Sequence, residues 1–407
     1  MIRKIINRLL EKRYFWRTVD FAEIAELYAS RMLRTMAVSM VSVFVAIYLY
    51  QNGYRLSFIM VYFTGYFLLR ALLVFPAAFT IAHIGPKHAA MISNILYVPA
   101  LLVLSQLHEY GLIALAAFGL FQAASVSLYD VSHLVNFSKI RNVDHVGKEL
   151  SFMYIFERVG TSLSPVIGGL VAFWFGPQAT MLLAAVIFGT AALPLFFTPE
   201  PTRTRQKITF HGINWRAIRR GLLANAAIGA DTAITGSVWS LYISIVIFGT
   251  TSNAVYAQVG AVLSVTVVAA LVFSRLYGLL IDRRRGGDLL KVGVVADALT
   301  HFARPFVATP LGVVMTNVAN EAATTGYSMP FAKGVFDQAD NLPGYRIVYM
   351  SLMAIVAPLG AALMSLVVVG LGLFFSEVHS MQISFIVIAW VVLLIGTHRF
   401  PALQRNG

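Results

Sequence analysis

Long apolar runs, separated by short polar segments, follow one another along the whole chain. Twelve of them are close to or above the ~20 residues that a helix needs to cross the hydrocarbon core of a bilayer. Strands of a membrane barrel would instead alternate apolar and polar residues in segments of about ten. The pattern therefore predicts an all-α polytopic membrane protein with twelve transmembrane helices. The runs occupy residues 28–50, 56–82, 88–107, 111–137, 150–174, 178–198, 221–249, 254–281, 290–307, 310–332, 346–375 and 381–398.

The composition agrees with a chain whose solvent is lipid. Of 407 residues, 58% are hydrophobic and 12% are charged, and the mean hydropathy is +0.75. Soluble domains are about 45–50% apolar and about 25% charged. The absence of cysteine excludes disulfides, thiolate metal sites and cysteine nucleophiles. The chain also lacks a phosphate-binding glycine loop, a G-x-S-x-G elbow and an H-E-x-x-H helix. We expect neither an enzyme nor an ATP-driven pump, and no cofactor or metal.

The strong basic balance has a topological explanation. The formal net charge is +13, from 31 Lys and Arg against 18 Asp and Glu. If the spans alternate in direction, 24 of the 31 basic residues fall on one side of the membrane, together with both termini. The positive-inside rule makes that side cytoplasmic. We therefore expect an integral protein of a bacterial inner membrane and no nucleic-acid partner. Residues 1–20 are predicted to form an amphipathic segment on an anionic lipid surface, or a solvated basic tail.

The two halves of the chain echo each other. A polar interruption at residues 199–220 divides the spans six and six, which predicts bundles at 21–198 and 221–407 joined by a cytoplasmic linker. Pro165 in the fifth span matches Pro358 in the eleventh, about 200 residues later. A repeat with six spans per copy keeps the same orientation in both copies. That layout is typical of two-bundle transporters, with a substrate site near the midplane.

The loops after spans 2 and 8 carry a family resemblance. Gly278, Asp282 and Arg283 match part of the pattern G-x-x-x-D-R-x-G-R-R, whereas the first copy keeps Gly85 but has Ala82 in place of the acidic residue. In these residues the chain resembles the major facilitator superfamily, and the resemblance covers essentially its whole length. It implies two six-helix bundles, a cavity lined by spans 1, 4, 7 and 10, and a cytoplasmic latch at these loops. The degenerate first copy puts the N-terminal latch in doubt.

The fifth span resembles a motif of the family's antiporters, G-x-x-x-G-P-x-x-G-G. The matching residues are Gly160, Pro165, Gly168 and Gly169, with Ser164 replacing one glycine. The resemblance implies export, whereas close helix packing by small residues is the alternative explanation. The arginine that the family's exporters carry in span 4 is missing here.

Polar residues at helical spacing mark the predicted cavity. Asp231, Thr235, Trp239 and Tyr242 lie in span 7, where the two aromatic rings could stack a flat substrate or simply pack. Span 10 has a stripe too polar to face lipid, in which Glu321 is a plausible proton carrier because desolvation favours its protonated form. The stripe comprises Asn317, Asn320, Glu321, Thr324 and Tyr327. For both carboxylates, an interhelical hydrogen bond is the structural alternative.

Further ionisable groups lie in other spans. Asp130 and His133 in span 4 could relay protons, or form a structural pair at the cavity mouth. Arg70 in span 2 could hold a substrate carboxylate or phosphate, or neutralise Asp231 or Glu321. Two other groups have simpler explanations. Glu157 and Arg158 are predicted to gate the cytoplasmic end of span 5, and Asp297, His301 and Arg304 in span 9 to form an internal salt-bridge network. Arg31 and Arg34 are expected in a salt-bridged interfacial turn.

These features predict a secondary transporter that moves a small solute by alternating access. Its partners would be the solute, protons and the lipid bilayer, and it would function as a monomer. Proton-driven export is slightly favoured over uptake, on the span-5 motif alone. A proton-coupled symporter, an uncoupled facilitator, and a sensor or assembly partner that transports nothing remain alternatives.

Overall fold

The computed structural model describes residues 21–140, 161, 163–197, 199, 214–250, 252–283, 285–342, 345–398, 400 and 403. These residues contain no strand, and their helices coincide with the twelve predicted runs. We call α1–α6 the N-terminal half and α7–α12 the C-terminal half. The first six helices are α1 (Phe21–Gln51), α2 (Leu56–Ile84), α3 (Pro86–Ser105), α4 (Leu107–Ile140), α5 (Ser164–Phe175) and α6 (Pro177–Ala192). The second six are α7 (Trp215–Phe248), α8 (Ala254–Asp282), α9 (Gly286–Ala303), α10 (Pro310–Asp340), α11 (Arg346–Gly372) and α12 (Glu377–Val392).

Nine of the helices in the described residues are long and apolar enough to cross a membrane. The exceptions are α5, which has 12 described residues, and the two polar helices α9 and α10. Large apolar side chains such as Leu72, Val186 and Leu363 point outward and are about two-thirds exposed, as expected where lipid replaces water. The predicted amphipathic segment 1–20 and most of the linker 199–220 lie outside the described residues. Helix α7 already begins at Trp215, within the predicted linker.

Glycine–proline pairs form the tight turns of the N-terminal half. Gly85 ends α2 with a φ of +90°, a conformation that favours glycine, and Pro86 starts α3. Gly176 and Pro177 repeat this arrangement between α5 and α6. Lys87, the second residue of α3, is fully buried. Its ammonium group lies 3.1 Å from a carboxylate oxygen of Glu26 in α1, because a buried charge needs such a partner.

Close packing of small residues joins the two halves. A Cβ on Gly169 of α5 would lie 2.4 Å from the carbonyl oxygen of Tyr256 in α8, and one on Gly260 of α8 would lie 2.2 Å from that of Pro165. A Cβ on Gly168 would lie 2.8 Å from the carbonyl oxygen of Met40 in α1. The described part of the antiporter-like motif therefore lets α5 approach both α1 and α8.

The other predicted gate residues are described only in part. Glu157, Arg158 and Gly160 lie outside the described residues. In the loop after α8, Gly278 lies within the helix and Arg283 is exposed just past its end, whereas the side chain of Asp282 is not among those described. A latch at this loop therefore stays a prediction.

Helix α7 departs from regular α geometry twice. Residues Ile234–Val238 and Ile243–Phe248 form π-helical segments on either side of the turn Trp239–Tyr242. Wide turns of this kind occur frequently at functional sites. Asp231 lies just before the first of them, and Thr235 lies within it.

Candidate functional site

Asp231 is the centre of a buried polar cluster in the C-terminal half. Its carboxylate accepts hydrogen bonds from Thr235 Oγ1 (3.0 Å) one turn later in α7, from His301 Nε2 of α9 (2.8 Å) and from the Tyr327 hydroxyl of α10 (2.6 Å). Asp231 is only 3% exposed. Three donors to one carboxylate stabilise its charged form.

Arg304 supplies the positive charge of this cluster. One of its terminal nitrogens contacts Thr235 Oγ1 (3.1 Å) and His301 Nδ1 (3.0 Å), and the other donates to Asn320 Oδ1 (2.8 Å). Its guanidinium carbon lies 5.0 Å from the centre of the Trp239 ring. Arg304 still has helical dihedral angles and is fully buried. It therefore lies in the internal network predicted for span 9, through its contacts with His301 and Asn320.

The hydrogen bonds assign the protonation of His301. An arginine can only donate, so the contact with Arg304 requires Nδ1 of His301 to accept. Nε2 then carries the ring's hydrogen and donates it to Asp231. His301 is therefore a neutral imidazole that links the arginine to the carboxylate.

Asp297 is the least satisfied member of the cluster. Its Oδ1 accepts from Asn320 Nδ2 (2.7 Å), but among the described residues Oδ2 has no hydrogen-bond partner. Nε2 of His301 lies 3.7 Å from Oδ2, beyond hydrogen-bond distance. Asp297 is fully buried, so an ionised Oδ2 would be costly there. The cluster thus has two carboxylates for one arginine.

Two carboxylates and an imidazole at this spacing raise the question of a metal ion. Ligand atoms of Asp231, Asp297 and His301 all lie within 4.8 Å of one another. The imidazole has no free lone pair, however, because Nδ1 faces Arg304 and Nε2 carries the hydrogen shared with Asp231. The residues therefore do not fit a transition metal, whose histidine ligands bind through a bare nitrogen. We call Asp231, Thr235, Asp297, His301, Arg304, Asn320 and Tyr327 the C-terminal polar cluster.

A second polar cluster lies in the N-terminal half. Arg70 of α2 forms an ion pair with Asp130 of α4, rather than with Asp231 or Glu321. The two side chains are 21% and 32% exposed, so this pair is reached by solvent. His133 stacks on Tyr129, with ring centres 5.9 Å apart and the planes within 6°. The structure thus gives Asp130 an arginine partner, and the predicted relay with His133 stays a prediction.

Arg34 of α1 is the member of this cluster that sequence reasoning missed. It is 3% exposed and lies inside the bundle, not in an interfacial turn. Its guanidinium donates to Asn94 Oδ1 (2.8 Å), Ser93 Oγ (3.1 Å) and Ser125 Oγ (3.3 Å), and its carbon lies 3.9 Å from the centre of the Tyr129 ring. All three acceptors are neutral. We call Arg34, Arg70, Ser93, Asn94, Ser125 and Asp130 the N-terminal polar cluster.

The remaining predicted residues lie near the C-terminal polar cluster without joining its hydrogen bonds. Trp239 donates through Nε1 to Asn317 Oδ1 (2.8 Å), and its ring stacks on Tyr242 at 5.6 Å and meets Phe385 edge-on. At 2% exposure Trp239 is packed rather than open to a substrate. Glu321 is half-buried and accepts from Thr325 Oγ1 (3.1 Å).

The comparisons with known proteins agree with this architecture. Residues 27–335 match the sequence profile of the Major Facilitator Superfamily. The chain belongs to that family. It is an integral membrane protein with a transporter fold and not an enzyme. No curated protein sequence gives a significant match.

Several solved structures share the fold. The E. coli fucose:proton symporter FucP is 14% identical, with a TM-score of 0.63 over 92% of this chain and 98% of its own. The human organic anion transporter MFSD10 is 12% identical, with a TM-score of 0.70 over 94% and 99%. The nucleoside transporter NupG is 11% identical, with a TM-score of 0.64 over 92% and 97%. At these identities the likeness establishes the fold alone.

Proposed function

We propose that this protein is a proton-coupled secondary transporter of a small solute, working by alternating access between its two halves. The observation that carries the proposal is Oδ2 of Asp297, a buried carboxylate oxygen without a hydrogen bond from any described residue. It lies in a cluster where one arginine faces two carboxylates. Proton coupling is also in the name of the structurally similar fucose symporter.

A proton on Asp297 balances the C-terminal polar cluster. With both carboxylates ionised, the described cluster carries one excess negative charge, since His301 is neutral. Asp231 is already held by three donors, so Oδ2 of Asp297 is the favoured place for a proton. Protonation makes the cluster neutral, which lowers the cost of enclosing it when the halves close around it. Release of the proton to the opposite side would then follow reopening.

The test uses purified protein in liposomes loaded with a pH-sensitive dye. Solutes from a panel of sugars, nucleosides, amino acids and organic acids are added, and lumen pH and solute uptake are recorded. A coupled solute should move protons and accumulate under an imposed pH gradient. Failure of every solute to produce flux would favour the non-transporting alternative, whereas flux indifferent to pH would favour a facilitator.

Asp297→Asn isolates the coupling step. It keeps the oxygen that accepts from Asn320 but removes the proton-binding oxygen. We expect accumulation driven by the pH gradient to be lost, while exchange of labelled for unlabelled solute continues. Asp288→Asn is the matched control, because Asp288 lies in the same helix but is exposed. Undiminished accumulation in Asp297→Asn would remove Asp297 from the coupling role.

Glu321 is the competing candidate for the proton-carrying residue, and sodium is the competing candidate for the coupling ion. Glu321→Gln should leave accumulation intact if Asp297 carries the proton, and should abolish it if the sequence-based assignment is correct. Because two carboxylates also suit a sodium ion, the assay is repeated with a sodium gradient at equal pH. Accumulation under sodium alone would make sodium the coupling ion.

The direction of transport and the cellular location remain sequence-based proposals. The span-5 motif supports export, and the charge distribution supports a cytoplasmic location for both termini in a bacterial inner membrane. Opposite pH gradients across the same liposomes distinguish an antiporter from a symporter. A symporter accumulates solute when the outside is acidic, and an antiporter does so when the lumen is acidic.

A further inference from the structure

The N-terminal polar cluster has more positive than negative charge. Its described members include two guanidinium groups, Arg34 and Arg70, and one carboxylate, Asp130. Asp130 pairs with Arg70, and the groups that contact the Arg34 guanidinium directly are neutral oxygens and the face of an aromatic ring. A buried guanidinium without a carboxylate is costly, and an anion from outside the protein would lower that cost.

Two buried donor atoms of α2 without hydrogen-bond partners in the described part of the chain also favour an anionic ligand. Nε of Arg70 and the hydroxyl of Tyr62 are buried, and neither has a hydrogen-bond partner among the described residues. Both lie on α2, two turns apart. Buried polar atoms in native proteins are nearly always bonded to something, so an orphaned donor indicates a missing acceptor. Both of these atoms are donors, which suits an anionic ligand.

The N-terminal polar cluster is more exposed than the C-terminal polar cluster. The side chains of Arg70 and Asp130 are 21% and 32% exposed, whereas Asp231, Asp297, His301 and Arg304 are each 4% exposed or less. The Arg70–Asp130 pair is therefore the more open part of the two clusters in this conformation. A solute would contact the C-terminal polar cluster only after a rearrangement.

We propose that the N-terminal polar cluster binds the carboxylate group of a small organic anion. The anion displaces Asp130 from Arg70, so Asp130 occupies the position of the ligand's carboxylate when no solute is bound. Arg34 stabilises the bound negative charge from α1. This inference rests on the proposed function for its biological meaning, since a bound anion would be the transported solute, but the binding itself requires no proton gradient.

The experiment measures thermal stability of the purified protein with lactate, succinate and benzoate, each compared with its neutral amide. Ionic strength is held constant with chloride. We expect at least one carboxylate to raise the unfolding temperature in a concentration-dependent way and its amide to have no effect. Equal effects of every carboxylate and its amide would overturn the proposal.

Two variants make the test specific. Asp130→Asn removes the competing carboxylate, so binding of the stabilising anion should tighten about tenfold, as expected for one charged hydrogen bond. Arg70→Gln should weaken it by a similar factor, and Arg275→Gln, an exposed arginine of α8, is the control. Because Asp130→Asn predicts a gain, poor folding cannot imitate the result. Unchanged or weaker binding in Asp130→Asn would contradict displacement.

Failure of this inference is distinguishable from failure of the proposed function. Anion binding is measured in detergent at one pH, without a gradient. Coupling is measured in liposomes and depends on Asp297. If the protein accumulates a neutral solute under a pH gradient and binds no carboxylate, the proposed function holds and the anion site is contradicted.

Discussion

The two polar clusters, one in each half of the molecule, solve the problem of buried charge in opposite ways. In the C-terminal half, one arginine and two carboxylates are linked by a histidine and are closed to solvent. In the N-terminal half, arginines outnumber the carboxylate, and the Arg70–Asp130 pair is partly exposed. The two bundles therefore have similar folds but different charges in their polar clusters. One is suited to hold a proton, and the other is suited to hold an anion.

The proposed alternating access requires the halves to move relative to each other. On the side that the charge distribution places outside, the halves are in contact. The Tyr50 hydroxyl and the backbone N–H of Leu56 each donate to Glu377, at 3.0 Å. The hydroxyl of Tyr256 donates to Gln51 at 2.7 Å, and Gln51 donates to the carbonyl oxygen of Thr250 at 3.0 Å. These contacts must open when the cavity faces outward.

The largest effect is expected from locking this outer contact. A Cβ built on Gly372 of α11 would lie 3.8 Å from Cβ of Ser57 in α2, which matches the usual separation of about 3.8 Å in a disulfide. The natural chain has no cysteine, so the variant Ser57→Cys/Gly372→Cys introduces the only pair. Oxidation should abolish solute flux, and reduction should restore it.

The lock is checked by the reversible change of flux with oxidant and dithiothreitol, with each single cysteine variant as a control. Disulfide formation is quantified separately by loss of thiol labelling. Full flux through protein whose thiols are completely oxidised would contradict opening on this side. The two clusters would then have to exchange ligands without the outer contact separating.

The next largest effect is expected from removing the arginine of each cluster in turn. Arg304→Met leaves the carboxylate of Asp231, and that of Asp297 once it has released its proton, without a cation, which typically costs about 3–5 kcal/mol. Arg34→Met leaves only neutral oxygens without a donor, at about 1–3 kcal/mol. The melting temperature in detergent should therefore fall further for Arg304→Met than for Arg34→Met.

The relative size of the two decreases in melting temperature tests the comparison between the halves. Adding Asp297→Asn to Arg304→Met removes one of the abandoned charges and should recover part of the stability. The same change should not help Arg34→Met. Equal losses, or recovery in both backgrounds, would mean that the clusters do not differ in their charge balance.

The sequence predicted the helices closely because each apolar run ends where the polar residues begin. The starts of α2, α8, α10 and α11 agree with prediction to the residue. Helix α7 begins earlier than expected because its first turns are amphipathic, with Arg216, Arg219 and Arg220. Helical spacing alone also put Asp231 on one face with Thr235, and Asn320 on one face with Tyr327.

Sequence reasoning misjudged Arg34, because its partners come from distant parts of the chain. Arg34 follows Glu23 and Glu26 in the sequence, which suggested a local salt bridge. Its actual partners, Ser93, Asn94 and Ser125, are small polar residues of other helices and give no signal of their own in a sequence. Only the packing of α1 against α3 and α4 brings them together.

The smallest effect is expected at Glu377, where only one charge on the outer contact changes. Glu377→Gln keeps an acceptor for Tyr50 or Leu56 but weakens both hydrogen bonds, by roughly 1 kcal/mol. The closed outer contact should therefore become less populated by about fivefold. In the Ser57→Cys/Gly372→Cys background, the disulfide should then form more slowly under limiting oxidant. Glu109→Gln, on an exposed carboxylate at the start of α4, is the control. A rate unchanged by Glu377→Gln would mean that close packing of Gly372 and Ser57, and not the hydrogen bonds to Glu377, holds the two halves together on this side.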